Sequence, residues 1–137
     1  MHILFVGKCS PTHTINAIIQ KTGKNPGIQI VKFSRLILEG FVHNNSKVDV
    51  LSNIVTEQTM FSRQHEECFE EIHYTYLPTV QAPIVCQLFY ILSSFIYTIK
   101  WALKTKGDKI ILCDIFANSS SKGSVAAAKL LNIPKCM

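Results

Sequence analysis

A chain of 137 residues, 47% hydrophobic, 17% charged and 9% aromatic, has room for one domain and excludes a disordered polypeptide, two full domains or a large standalone enzyme. Fourteen Lys and Arg against nine Asp and Glu give a net charge of +5, which suits anionic ligands or an anionic membrane surface and is too small to argue for nucleic acid. Cys9, Cys68, Cys86, Cys113 and Cys136 are odd in number and hold no CxxC pair, so they read as reduced, mostly buried thiols of a cytoplasmic protein.

Residues His2 to Val6 form a short apolar run ending at Gly7, the pattern of a buried strand entering a loop and far too short for a signal peptide. The loop Lys8 to His13 carries Ser10, Pro11 and Thr12, and Ile15, Ile18 and Ile19 then recur at helical spacing. Asn25, Pro26 and Gly27 predict a turn, after which Ile28, Ile30 and Phe33 alternate with Gln29 and Lys32 and predict a second strand. Behind Asn44, Asn45 and Ser46, the β-branched stretch Val48 to Val55 predicts a third. The polar region Thr56 to Glu71 reads as irregular connection with a helical turn around Gln64 to Phe69, and Ile72 to Leu77 as a short strand stopped by Pro78.

No charged residue occurs from Pro83 to Ile99, a length that could cross a membrane. Gln87, Ser94 and Thr98 nevertheless lie along one side at helical spacing, with Ser93, Lys100 and Lys104 nearby. This favours an amphipathic helix from Pro83 to about Lys106, packed on a sheet and stopped by Gly107 and Asp108. A third reading inserts that helix into a membrane interface, with Tyr90, Tyr97 and Trp101 as anchors and the lysines outside. Lys109 to Cys113 predicts a further strand, Asn118 to Ser121 a loop whose serines cap a helix over Lys122 to Leu131, and Ile133 to Met137 the opening of another strand. Strands alternating with helices predict an α/β fold with a doubly wound, mainly parallel sheet.

Ligands of open parallel sheets bind beyond the carboxyl ends of the strands, which points to the loops Gly7 to His13 and Asp114 to Ser121. In the first, Gly7 permits close backbone approach, Lys8, Ser10 and His13 offer polar groups, and the following helix start can receive an anion. The same residues also read as an ordinary strand-to-helix turn, since neither a Walker motif nor GxGxxG is present. In the second, Asp114 can accept a hydroxyl hydrogen bond or simply cap or pair, and Asn118 lies beside it. The five histidines show no paired metal spacing, and Glu66, Glu67, Glu70 and Glu71 read as a solvated acidic face; no metal and no resident cofactor is expected.

The opening Met1-His2-Ile3-Leu4-Phe5-Val6-Gly7, the strand Val48-Asp49-Val50-Leu51, and Gly107 to Asp114 followed by Ser124 to Pro134 resemble the N-terminal half of a GT-B glycosyltransferase, in the large retaining family that uses nucleotide sugars. The resemblance covers nearly the whole chain and implies a Rossmann-like, acceptor-side domain over residues 1–137, truncated before a donor-binding C-terminal domain. It implies transfer of a sugar from a nucleotide-sugar donor to a sugar, lipid or polysaccharide acceptor, with Gly7, Lys8, Ser10, His13, Asp114 and Asn118 as acceptor-binding candidates. Two departures stand out: the first loop lacks paired glycines, and Cys113 stands where many members carry histidine. The isolated domain is expected to be inactive, cytoplasmic and open to peripheral membrane contact. The alternative is a non-catalytic Rossmann-like interaction or membrane-surface module.

Overall fold

The computed structural model describes residues 1–23, 25, 27–54, 61–114 and 118–136. In chain order its elements are β1 (His2–Gly7), α1 (Thr12–Thr22), α2 (Ile28–His43), β2 (Lys47–Ser52), β3 (Phe61–Ser62), β4 (His65–Phe69), β5 (Ile72–Tyr76), β6 (Thr79–Val80), α3 (Pro83–Lys104), β7 (Lys109–Cys113), α4 (Asn118–Leu130) and β8 (Lys135–Cys136). Six strands form one sheet in the order β4-β5-β2-β1-β7-β8, and β3 and β6 form a short antiparallel ribbon. Strands β5, β2, β1, β7 and β8 run parallel, whereas β4 is antiparallel to β5. This is an α/β fold with a mostly parallel mixed sheet.

The period-2 pleat sends successive side chains to opposite faces. Ile3 and Phe5 of β1 join Val48, Val50, Ile72, Tyr74 and Tyr76 beneath Leu38 of α2. Leu4 and Val6 face the other way and pack with Leu51, Ile111 and Cys113 against Trp101 and Ala102 of α3 and Ala128 of α4. A central strand covered by helices on both sides has no solvent face, which is why His2 to Val6 is apolar without alternation.

The stretch Ile28 to Phe33, predicted as a strand, is the first turn and a half of α2. Its buried residues Val31, Ser34 and Leu38 follow a helical period, and Asn25 Oδ1 accepts the backbone N–H groups of Gly27 at 2.9 Å and Ile28 at 3.0 Å to start the helix. Helical order over sixteen residues outweighs a short alternation that either period can produce. Helix α1 ends at Gly23, whose left-handed backbone (φ 64°) lets its N–H reach the Ile19 carbonyl at 2.8 Å. Pro26 of the predicted turn and Val55 of the predicted third strand lie outside the described residues.

The helical turn predicted around Gln64 to Phe69 is strand β4, paired with β5 from His65↔Tyr76 to Phe69↔Ile72. Glu66 and Glu67 therefore point to opposite faces of the sheet and do not share a helix face. Ser119, Ser120 and Ser121, predicted to lie in a capping loop, are buried within the first turn of α4. The opening strand expected near Ile133 is β8, parallel to β7.

Helix α3 lies on the sheet, but its sides are sorted in an unexpected way. Ser94 and Thr98 are fully buried, and Thr98 Oγ1 donates to Ser124 Oγ of α4 at 2.9 Å. Trp101 is buried and donates its indole N–H to Asp49 Oδ2 at 2.8 Å, while Tyr97 Oη meets Thr75 Oγ1 at 3.0 Å. Tyr97 and Trp101, considered as membrane anchors, are thus turned inward, because each has a polar partner on the sheet and an apolar ring to bury, and Tyr90, the third, packs half-buried against the same core. Lys109 Nζ reaches the carbonyls of Ala102 at 2.7 Å and Thr105 at 2.5 Å, closing the C-terminus of α3.

Candidate functional site

Between β1 and β7 the chain order of the parallel strands reverses: β1, β2 and β5 build outward on one side, β7 and β8 on the other. Connections leave a crevice at such a point, beyond the strand carboxyl ends. Here those ends are Gly7 and Cys113-Asp114. Asp114 N donates to the Val6 carbonyl at 2.9 Å, extending the β1–β7 pairing one step into the loop. A Cβ on Gly7 would lie 2.6 Å from Asp114 Cβ, so the absence of a side chain at Gly7 lets the two loops close. Ser121 Oγ donates to the Asp114 carbonyl at 3.1 Å and fixes the second loop to the start of α4.

The first loop is anchored on its other side by β4 and β5. Ser10 is fully buried, its hydroxyl 2.6 Å from Tyr76 Oη, and the Tyr76 hydroxyl donates to Glu67 Oε1. Thr14 Oγ1 shares the Glu67 carboxylate at 2.9 and 3.1 Å, and the His13 Nε2 lies 3.5 Å from Glu67 Oε2 with its ring 5.0 Å from that of Phe69. Burial raises the Tyr76 phenol far above its ordinary range, and the hydrogen bond to Glu67 adds to this, so the tyrosine is a neutral donor. Arg35 of α2 pairs with Glu39 at 3.0 Å and donates to Thr12, tying α2 to the start of α1.

Of the residues singled out from sequence, Gly7 and Asp114 are brought together, with half-buried Lys8 next to Gly7. His13 is exposed and carried by α1 toward β4, and Ser10 is a buried strut of the loop. Asn118 starts α4, and its side chain and residues 115–117 lie outside the described residues. Glu67, read from sequence as part of a solvated acidic face, is instead half-buried and bonded to Thr14 and Tyr76, and Tyr76 was not a candidate; the available signal is Tyr76 at the carboxyl end of a parallel strand. Among the described residues no group of three or more His, Cys, Asp or Glu could hold a metal ion.

None of the five cysteines forms a disulfide; Cys9 and Cys113 are buried at this edge, whereas Cys68 and Cys136 are exposed, contrary to the expectation of mostly buried thiols. Burial pushes Cys9 up to about 12, against a smaller opposing pull from Arg35, and pushes Cys113 up to about 11. The folded state holds these protons more tightly than the unfolded chain. Their contribution to stability is therefore complete below pH 9 and is lost as pH rises through about 11 and 12. At pH 8 a chromogenic disulfide reagent is expected to label Cys68 and Cys136 at once and Cys9 and Cys113 only on unfolding; rapid labelling of Cys9 in folded protein would contradict the packing of the loop.

No protein-family model, no curated protein and no solved structure matches this chain.

Proposed function

We propose that this chain is a Rossmann-like, acceptor-side domain of a GT-B glycosyltransferase that works with a nucleotide-sugar donor held by a second domain. The observation that carries this reading is the strand order β5-β2-β1-β7-β8, whose reversal between β1 and β7 coincides with the contact of Gly7 and Asp114. An acceptor hydroxyl entering the crevice would find the Asp114 carboxylate as a hydrogen-bond acceptor, with Lys8 beside it for a phosphate or sugar oxygen. His13, beside the Glu67 carboxylate, stands at the flank of the same edge and would contact the distal part of a longer acceptor. The proposed setting is cytoplasmic, with a sugar, lipid or polysaccharide acceptor.

The test uses a panel of alkyl glycosides as acceptor probes, followed by amide chemical shifts of the labelled protein. Binding is expected to move Gly7, Lys8, Asp114 and the first turn of α4, and Asp114→Ala should weaken it about ten- to a hundredfold, the loss of one charged hydrogen bond. Shifts confined to the outer side of α3, or affinity unchanged in Asp114→Ala, would instead favour the non-catalytic module.

A further inference from the structure

Helix α3 is amphipathic in reverse. Its small polar residues are inside, where Ser94 and Thr98 meet Gly123 and Ser124 of α4, a close contact of the kind that helices make in lipid. Its outer line is apolar: Val85 is 52% exposed, Leu88 64%, Leu92 58%, Ile96 44% and Leu103 73%. These positions recur at about 3.6 residues, so they form one straight line along a straight helix without the drift of a supercoiled seam. The helix is long and apolar enough to cross a membrane, yet its inner side is committed to the sheet through Trp101 and Tyr97.

Charge decides what covers the outer line. Between Ile72 and Gly107 the sequence contains no Asp or Glu, and α4 contains none either. Lys100, Lys104, Lys106, Lys122 and Lys129 are all exposed in this layer. A second copy docked helix to helix would set the lysines of one α3–α4 layer against those of another, neither layer holding a carboxylate. The carboxylates that share a groove with Lys100, Lys104 and Lys106 are Asp49, Glu66 and Glu71, beside α3, and none of Leu88, Leu92, Ile96 or Leu103 lines that groove. A domain seated on the carboxyl ends of the strands would leave the outer side of α3 uncovered, because the helix runs along the face of the sheet. An anionic bilayer surface satisfies both the apolar line and the lysines.

We propose that the α3–α4 layer docks on an anionic lipid bilayer, with α3 lying in the plane of the interface. Leu88, Leu92 and Ile96 enter the acyl boundary, and Lys100, Lys104 and Lys106 meet the phosphates at the C-terminal end of the helix. The inference does not depend on the proposed transferase chemistry.

Vesicle flotation of the chain tests it, with phosphatidylcholine alone and with 30 mol% phosphatidylglycerol, at low and high salt. Binding is expected on the anionic vesicles, at least tenfold weaker on the neutral ones and reduced by salt. Each lysine near an anionic surface contributes roughly fivefold, so Lys100→Glu with Lys104→Glu should lower partitioning by more than tenfold. Leu92→Glu should abolish binding, and because Leu92 is exposed its fold, checked by circular dichroism, should be intact. No flotation with anionic vesicles, equal flotation with both kinds, or unchanged binding of folded Leu92→Glu would overturn the proposal. So would a dimer in sedimentation that Leu92→Glu dissociates while vesicles remain unbound.

Discussion

Gly123→Val is expected to produce the largest loss of stability of any single substitution in α4. A Cβ at this position would run into the Ile91 carbonyl oxygen and Ser94 Oγ, so any side chain here must push α3 off α4. Overpacking against a well-packed neighbour costs about 1–3 kcal/mol, and a branched side chain meeting backbone lies at or above the top of that range. Thermal unfolding should begin about 10 °C lower, with Gly123→Ala between the variant and the native chain. Adding Ser94→Ala should recover only part of the loss, since it removes the hydroxyl but leaves the carbonyl in place. Full recovery would show that the side chain, and not the backbone, sets the α3–α4 distance.

Tyr76→Phe should come second, with an effect that reaches the crevice. The substitution keeps the ring in the apolar layer of Tyr74, Ile72 and Leu38 but removes the donor to Glu67 and the partner of the fully buried Ser10 hydroxyl. Leaving a buried hydroxyl unsatisfied costs about 1–3 kcal/mol. The loop 8–13 should then loosen before the sheet does, so amide hydrogen exchange at Cys9 and Ser10 should accelerate by tenfold or more while β2 and β7 stay protected. Pairing Tyr76→Phe with Ser10→Ala should be milder than the tyrosine change alone, because no hydroxyl is then stranded. If the double variant is instead as unstable as the sum of the two, the hydroxyl pair is not what holds the loop.

The elements legible in sequence were those with one unambiguous period. β1 is an apolar run buried on both faces and β7 one buried on one face and half-buried on the other, α3 is too long to be a strand, and β2 and β5 are β-branched or aromatic between turn residues. The stretch Ile28 to Phe33 failed because a short segment can satisfy two periods, and the rest of α2, not its first six residues, decides between them. β4 failed for a different reason: His65-Glu66-Glu67-Cys68-Phe69 is a poor strand by composition and exists because it closes the edge of β5.

The candidate site was half legible. That Gly7 and Asp114 lie at strand ends follows from position alone, but that they touch depends on β7 lying next to β1, which no local pattern encodes. Glu67 was hidden because, apart from Tyr76 across the β4–β5 pairing, the groups it holds, His13 and Thr14 directly and Ser10 through Tyr76, lie more than fifty residues earlier in the chain. For α3, sequence revealed two unlike sides without saying which one faces the core. Size explains the outcome: Ser94, Thr98, Gly123 and Ser124 are small enough for two helix backbones to approach, and the leucines are not.

The central place of β1 also governs how the chain is made. One edge of β1 pairs with β2 about forty-five residues later, the other with β7 about a hundred residues later, and such distant contacts slow folding. During synthesis the strand Ile3-Leu4-Phe5-Val6 is therefore finished long before its second neighbour leaves the ribosome. Through that interval an apolar strand has an open edge able to pair with another nascent chain, so fewer chains in synthesis at once and early chaperone capture should raise the soluble yield.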